Sequence, residues 1–218
     1  MNKNAIEVRN LTKKYDDFRI DNICFDIPEG SIVGFIGENG AGKSTTMKAI
    51  LGLVPIEEGE IKVLDQDIGH NAADENWREQ IRVVFDECNF PNELKEKNIN
   101  IIMKNIYRTW NENLFKEYLQ KFELPVNKKV RYLSKGMKMK LSIAAALSHD
   151  SRLLILDEAT SGLDPVVRNE ILDIFREYVE DERRTVFLSS HITSDIEKVA
   201  DYIILIHKGN LLLIESKD

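Results

Sequence analysis

The sequence predicts an α/β fold built on a largely parallel sheet, with a helix-rich segment inserted in its middle. Short apolar runs alternate with helix-spaced segments towards both ends of the chain, the pattern of strands joined by crossover helices. One strand-to-helix junction holds GENGAGKST, residues 37 to 45, a glycine-rich turn. From Asn89 to His149 glycine becomes nearly absent and helix formers dominate.

The elements follow in chain order. Ala5 to Arg9 alternates weakly and reads as a strand, as does Arg19 to Ile27, closed by the turn Pro28-Glu29-Gly30. Ser31 to Ile36 is a short β-leaning apolar run. Thr45 to Leu51 reads as a helix stopped by Gly52. Glu60 to Leu64 and Ile81 to Phe85 are further strands. Leu94 to Phe122 carries apolar residues at helical spacing, including Ile99, Ile102, Met103, Ile106, Leu114, Tyr118 and Leu119, until Pro125 breaks the pattern. A second helix spans Lys135 to Leu147. Leu153 to Leu156 is a buried strand, followed by a helix with Val167, Ile171, Ile174, Phe175 and Tyr178 on one face. A strand at Thr185 to Ser189, a helix at Ile192 to Ala200, and a hairpin of Tyr202 to Ile206 with Leu211 to Ile214 complete the chain.

The 218 residues, 43% hydrophobic and 31% charged, suffice for one substantial core in a single domain with a subdomain. The net charge of -7 gives no electrostatic help to nucleic-acid binding, despite the local cluster Lys135, Lys138 and Lys140. The cysteines, Cys24 and Cys88, form neither a metal spacing nor a disulfide framework, so a reducing compartment is the default. The start MNKNAIEVRN lacks a signal-peptide core, and no apolar run reaches the ~18 residues of a membrane span. A role at a membrane therefore requires a partner.

GENGAGKST satisfies G-x-x-x-x-G-K-[ST] through Gly37, Gly42, Lys43 and Ser44. Glu38, Asn39, Gly40, Ala41 and Thr45 complete the loop. Glycines let backbone N–H groups approach an anion closely, and the following helix aims its positive end at the same place. Lys43 reaches β- and γ-phosphates and the Ser44 hydroxyl ligates Mg²⁺, so the loop reads as an ATP-type phosphate cradle. LLILDEAT, residues 153 to 160, sets two carboxylates at the carboxyl end of a buried parallel strand, where ligands bind in open α/β sheets. Asp157 is placed to hold Mg²⁺, and Glu158 to polarise a water against the γ-phosphate. In YLSKGMKMKLS, residues 132 to 142, Ser134 and Gly136 open a helix. They make either an ordinary N-cap or a second anion site, and spacing alone leaves both readings open.

The whole chain resembles the nucleotide-binding subunit of an ABC transporter. The phosphate loop is Gly37 to Thr45, and Leu133-Ser134-Lys135-Gly136-Met137 resembles the family signature LSGGQ. Leu153 to Glu158 resembles the magnesium strand, Ser161-Gly162-Leu163-Asp164 the D-loop, Ser189-Ser190-His191 the switch histidine, and Tyr15 stands where the family stacks an aromatic on adenine. The resemblance implies a phosphate-loop NTPase core with a mostly parallel sheet, an N-terminal antiparallel β subdomain and an inserted helical subdomain. It divides the chain into a core of residues 1–85 and 151–218 and a helical subdomain of residues 86–150. It further implies two such domains paired head to tail around two ATP. Ser134, Lys135 and Gly136 then act in trans on the partner's γ-phosphate, His191 positions Glu158, and Asp164 links the two sites. A separate transmembrane permease would bring the chain to the cytoplasmic face of the membrane.

Two residues depart from the family pattern. Asp86 replaces the usual glutamine after the strand Ile81 to Phe85, where it orders Mg²⁺ through water or stays a solvated carboxylate. Lys135 replaces the first glycine of LSGGQ. These variants are similar to ATPase subunits of small bacterial ABC-2-type exporters, including those of peptide and antimicrobial efflux. Such subunits often carry an extra C-terminal segment; a chain ending at Asp218 is a short or a trimmed member. Phe90, Pro91 and Leu94 are candidates either for permease docking or for plain subdomain core. A soluble ABC-type ATPase acting on ribosomes or DNA is the rival, disfavoured by the compact chain and its acidic balance.

Overall fold

The computed structural model describes residues 3–68 and 75–217. Among these residues ten strands and six α-helices follow in order: β1 (Asn4–Lys14), β2 (Arg19–Pro28), β3 (Ile32–Ile36), α1 (Lys43–Ile50), β4 (Glu58–Val63), β5 (Gln66–Asp67), β6 (Ile81–Val84), α2 (Glu96–Ile106), α3 (Glu112–Lys121), α4 (Lys135–Leu147), β7 (Leu153–Asp157), α5 (Pro165–Val179), β8 (Thr185–Ser190), α6 (Thr193–Val199), β9 (Tyr202–His207) and β10 (Asn210–Ser216). Six strands form one sheet in the order β10-β9-β3-β8-β7-β6. Its strands β9, β3, β8, β7 and β6 run parallel, and β10 returns antiparallel on β9. A second sheet, β2-β1-β4-β5, is antiparallel throughout.

Strand periodicity places the central sheet between two cores, because successive side chains point to opposite faces. Val33, Phe35, Leu153, Ile155 and Phe187 face the antiparallel sheet and α1. Their neighbours Ile32, Leu154, Leu156, Val186 and Leu188 face α4, α5 and α6. Phe25 of β2 joins Phe35 and Phe187 in an aromatic trio with ring centroids 5.4 to 6.3 Å apart, which fastens one sheet to the other. Each such buried ring contributes about 1.5–3 kcal/mol through area removed from water.

The helical spacing from Leu94 to Phe122 does not become one helix. The backbone extends at Tyr107, and the chain re-enters a helix at Asn111, whose Oδ1 accepts from the N–H groups of Asn113 and Leu114. A side-chain cap of this kind is worth ~1 kcal/mol and outweighs continuous periodicity. The break folds Trp110 back, so that its Nε1 donates to Asn100 Oδ1 at 2.8 Å and its ring meets Phe115 at 5.1 Å. As a result Ile99 is fully buried while Ile101, Ile102 and Ile106 remain exposed on α2. Phe90 and Leu94 pack partly buried against the core under the helices. Strand β1 is longer than the alternation at its start suggests, and the two-residue β5 carries no pattern of its own.

A buried polar stack closes the seam between β6 and the helices. Arg82, 7% exposed, lays its guanidinium over Tyr107 with Cζ 3.7 Å from the ring centroid. Its Nη1 donates to the carbonyls of Arg78 and Ile81, while Nε and Nη2 have no hydrogen-bond partner among the described residues. Burial draws the Arg82 pKa down to about 10, so it stays charged at neutral pH. On Tyr107 also stacks His149, with centroids 5.1 Å apart. Burial, and then the charge of Arg82, push the His149 pKa from 6.5 to about 3. Between those two values the unfolded chain binds a proton that the native chain refuses, so stability falls as pH drops below 6.5. We expect this group to remove up to about 2 kcal/mol by pH 5. Urea midpoints at pH 7 and pH 5 check it: His149→Phe, which preserves the stack, should show a smaller drop than the wild type.

Candidate active site

Parallel order brings the carboxyl ends of β3, β7 and β8 side by side, with Asp157 opposite Ser189 and Ile36 opposite Ser190. Every candidate catalytic group hangs from one of these three ends. After β3 the loop turns through Gly42, at φ 114 a conformation that side chains other than glycine resist. A Cβ there would also meet the Phe18 ring at 2.9 Å. Helix α1 starts at the next residue, and Thr46 Oγ1 donates to the Gly42 carbonyl at 2.9 Å to fix the entry.

Glu38, Asn39, Gly40, Gly42, Lys43, Ser44 and Thr45 line a cavity of about 470 Å³ together with Phe18, Asp86 and Glu158. Gly37 and Ala41 support this wall from behind. The Gly37 carbonyl accepts from Lys43 Nζ at 2.6 Å, and the Ala41 carbonyl accepts from the Gly209 N–H at 2.9 Å. Lys43 is 5% exposed, and its ammonium also donates to the Glu38 carbonyl at 3.2 Å and pairs with Glu158 Oε1 at 3.1 Å. The ammonium therefore sits inside the curl of the loop, where an anion cradled by the N–H groups would meet it.

Asp157 Oδ1 accepts from Ser44 Oγ at 3.1 Å and from Ser189 Oγ at 2.7 Å. Ser189 Oγ in turn accepts the Glu158 N–H at 3.0 Å. Glu158 has φ 54, an unfavourable backbone for this residue type and a form of strain that concentrates at functional sites. The turn carries its carboxylate away from the strand axis and towards both Lys43 and His191, whose Nδ1 lies 2.7 Å from Glu158 Oε2. Lys43, Glu158 and His191 thus form one continuous polar chain that starts from the cavity wall.

Other expected residues sit elsewhere. Tyr15 is 48% exposed beside Lys13 and does not line the cavity, whereas Phe18, three residues on, does. The tight turn in which the Tyr15 N–H donates to the Phe18 carbonyl at 2.7 Å brings Phe18 inwards. Ser134 caps α4, accepting from the Met137 N–H at 3.2 Å, and Asp164 caps α5, accepting from Val166 and Val167. Both caps are exposed and outside the cavity of their own chain, as is Lys135, while Gly136 packs towards Val167. The histidine motif contains Ser189 only as a neighbour of His191; its bridging of Asp157 and Glu158 is visible in three dimensions alone.

A family model described as ABC transporter matches residues 20–161. The chain belongs to the ABC transporter family. It is 35% identical over 210 residues to a bacitracin transport ATP-binding protein of Bacillus licheniformis, covering 95% of this chain and 68% of that one. A lantibiotic transport ATP-binding protein of Streptococcus pyogenes is 33% identical over 216 residues, covering 98% of this chain and 91% of that one. Among solved structures, an ATP-binding subunit of an ABC transporter superposes with TM-score 0.84 at 27% identity, over 98% of this chain and 90% of the other. A dimeric ATP-binding cassette in a post-hydrolysis state bound to ADP and Pi gives TM-score 0.84 at 25% identity, over 98% and 99% of the two chains. The ABC ATPase domain binds ATP and hydrolyses it, and the 470 Å³ cavity with its phosphate loop is the place the geometry offers.

Because Ser189 fixes both carboxyl-bearing residues, Ser189→Ala should lower the ATP hydrolysis rate by about tenfold and cost about 1 kcal/mol of stability. Steady-state ATPase assays and denaturant titration measure the two effects separately.

Proposed function

We propose that this ABC ATPase is the energising subunit of a bacterial exporter, closing with a second nucleotide-binding subunit around two ATP and driving a separate transmembrane permease. The observation that carries the hydrolytic half of the reading is the Lys43–Glu158–His191 chain beside Asp157 and Ser44. Lys43 leaves Glu158 for the β- and γ-phosphates when nucleotide enters the loop. That frees Glu158 Oε1 to accept a proton from water while the water oxygen bonds to the γ-phosphorus. The bond to the bridging oxygen breaks and its electron pair leaves with ADP. His191 holds the carboxylate in line through its Nδ1 contact.

Ser44 and Asp157 suit Mg²⁺: hydroxyl and carboxylate oxygens 3.1 Å apart are a hard donor set for an ion that takes its remaining ligands from phosphates and water. Asp86, on the same cavity wall, is within this reading a water-mediated ligand. When bound, Mg²⁺ supplies charge neutralisation at the β- and γ-phosphates. The exposed caps of α4 and α5 support roles outside their own chain: Ser134, Lys135 and Gly136 on the partner's γ-phosphate, and Asp164 between the two sites.

Among the described residues no helix is long and apolar enough to cross a membrane, so export needs a permease and would hold this chain at the cytoplasmic face. The relatives named for bacitracin and lantibiotic transport support an exporter of that kind. Within this reading the permease docks at the groove of about 320 Å³ beside the Arg82–Tyr107 stack, which Val83, Met103 and Ile106 also line. Phe90 and Leu94, partly buried against the core, and the exposed Pro91 are the other candidates for that contact. Residues 86–150 form the helical subdomain and residues 1–85 with 151–218 the nucleotide-binding core of this reading.

Two measurements test it. His191→Ala should lower kcat for ATP by about 100-fold with ATP affinity within about threefold, and Lys43→Ala should abolish measurable ATP binding. A His191→Ala rate within about twofold of wild type contradicts the assignment. With the permease in membranes, Ile106→Glu should release the subunit on washing while ATP binding by the free chain is unchanged. Full retention would place docking elsewhere.

A further inference from the structure

The two positions at which the chain departs from its family pattern, Asp86 and Lys135, stand across one groove. A cavity of about 510 Å³ is lined by Asp86, Glu87, Cys88 and Asn92 on one wall and by Lys135, Lys138 and Met139 on the other. Asp86 also lines the nucleotide cavity. Among the described residues neither the two acids nor the two lysines have a side-chain hydrogen bond or ion pair.

Both charges are awkward where they stand. A carboxylate that would reach Mg²⁺ only through water keeps its charge and still repels the triphosphate beside it. Lysines in the first turn of α4 oppose the positive end of that helix, which carries no acidic residue there. Lys135 is also confined on its other side: its Nζ lies 2.8 Å from where a Cβ on Gly162 would stand, and Gly162 has φ 67. Any larger residue at Gly162 would displace the lysine from beside the D-loop.

We infer that Lys135, supported by Lys138, is a positioning residue that neutralises Asp86 of its own chain, so that an acid on the nucleotide wall is compatible with tight binding of ATP. The opposite charges offset each other across the groove, and the signature turn, the D-loop and the loop after β6 become coupled within one subunit. This cis role is distinct from the contact with a partner's phosphate and rests on the proposed placement of ATP in the Gly37–Thr45 loop.

The test is Mg-ATP binding at protein concentrations where the chain is monomeric, for wild type, Lys135→Met, Asp86→Asn and the double variant. Lys135→Met should weaken binding about threefold or more in the wild type but less than about 1.5-fold in the Asp86→Asn background. Lys135→Arg should bind as the wild type does, and the coupling should shrink in about 0.5 M salt. Equal losses in both backgrounds, or a loss in Lys135→Arg matching that of Lys135→Met, overturn the inference and leave the nucleotide site standing. Failure of the wild type to bind Mg-ATP removes both.

Discussion

The carboxyl end of β7 is the point on which the site depends. Asp157 ends a strand buried on both faces, and Glu158 turns out of it with φ 54. The turn is bridged by Ser189 Oγ, which donates to Asp157 and accepts from the Glu158 N–H, and the Ser161 N–H donates to the Glu158 carbonyl. One carboxylate is thereby fixed towards Ser44 and the next towards Lys43 and His191, although the two residues are adjacent in sequence. A relaxed strand end would send them to opposite faces. The strain at Glu158 is sustained because the strands on either side, β6 and β8, hold β7 rigidly in register.

The two cores do different work around that point. The aromatic trio and the alternating aliphatics of β3, β7 and β8 keep the three strand ends flush. On the opposite face, the helices present exposed groups: the caps Ser134 and Asp164, and the isoleucines of α2. The cavity is furnished by one half, and the exposed caps and apolar ridge lie on the other, which is the arrangement the proposed pairing with a second subunit and a permease uses. The buried Arg82–Tyr107–His149 stack sits at the seam between those halves.

The phosphate loop, the strand before it and the carboxylate pair were legible because each is local: glycines, lysine and hydroxyl lie within one turn, and Asp157 and Glu158 are adjacent. Helix α4 was legible for the same reason, since propensity and cap coincide at Ser134. What spacing does not encode is the loop conformation that brings Phe18 rather than Tyr15 to the cavity. Nor does it encode the cap at Asn111 that splits α2 from α3 and leaves Ile102 and Ile106 in the open. Ser189 escaped because its partners are 31 and 32 residues away in sequence and meet it only across β7 and β8. That Asp86 and the lysines of α4 line one groove is likewise a product of the fold.

The central claim is that Ser134 and Asp164, remote from their own nucleotide, complete the site of a second subunit. Sizing Glu158→Gln with and without Mg-ATP tests it most directly, because removing the proton acceptor should leave ATP bound and unhydrolysed. A dimer that forms only with ATP, and is lost on adding Ser134→Arg, is the expected result. A chain that binds ATP and stays monomeric, alone and when mixed with its permease and any second nucleotide-binding subunit, would contradict the composite site.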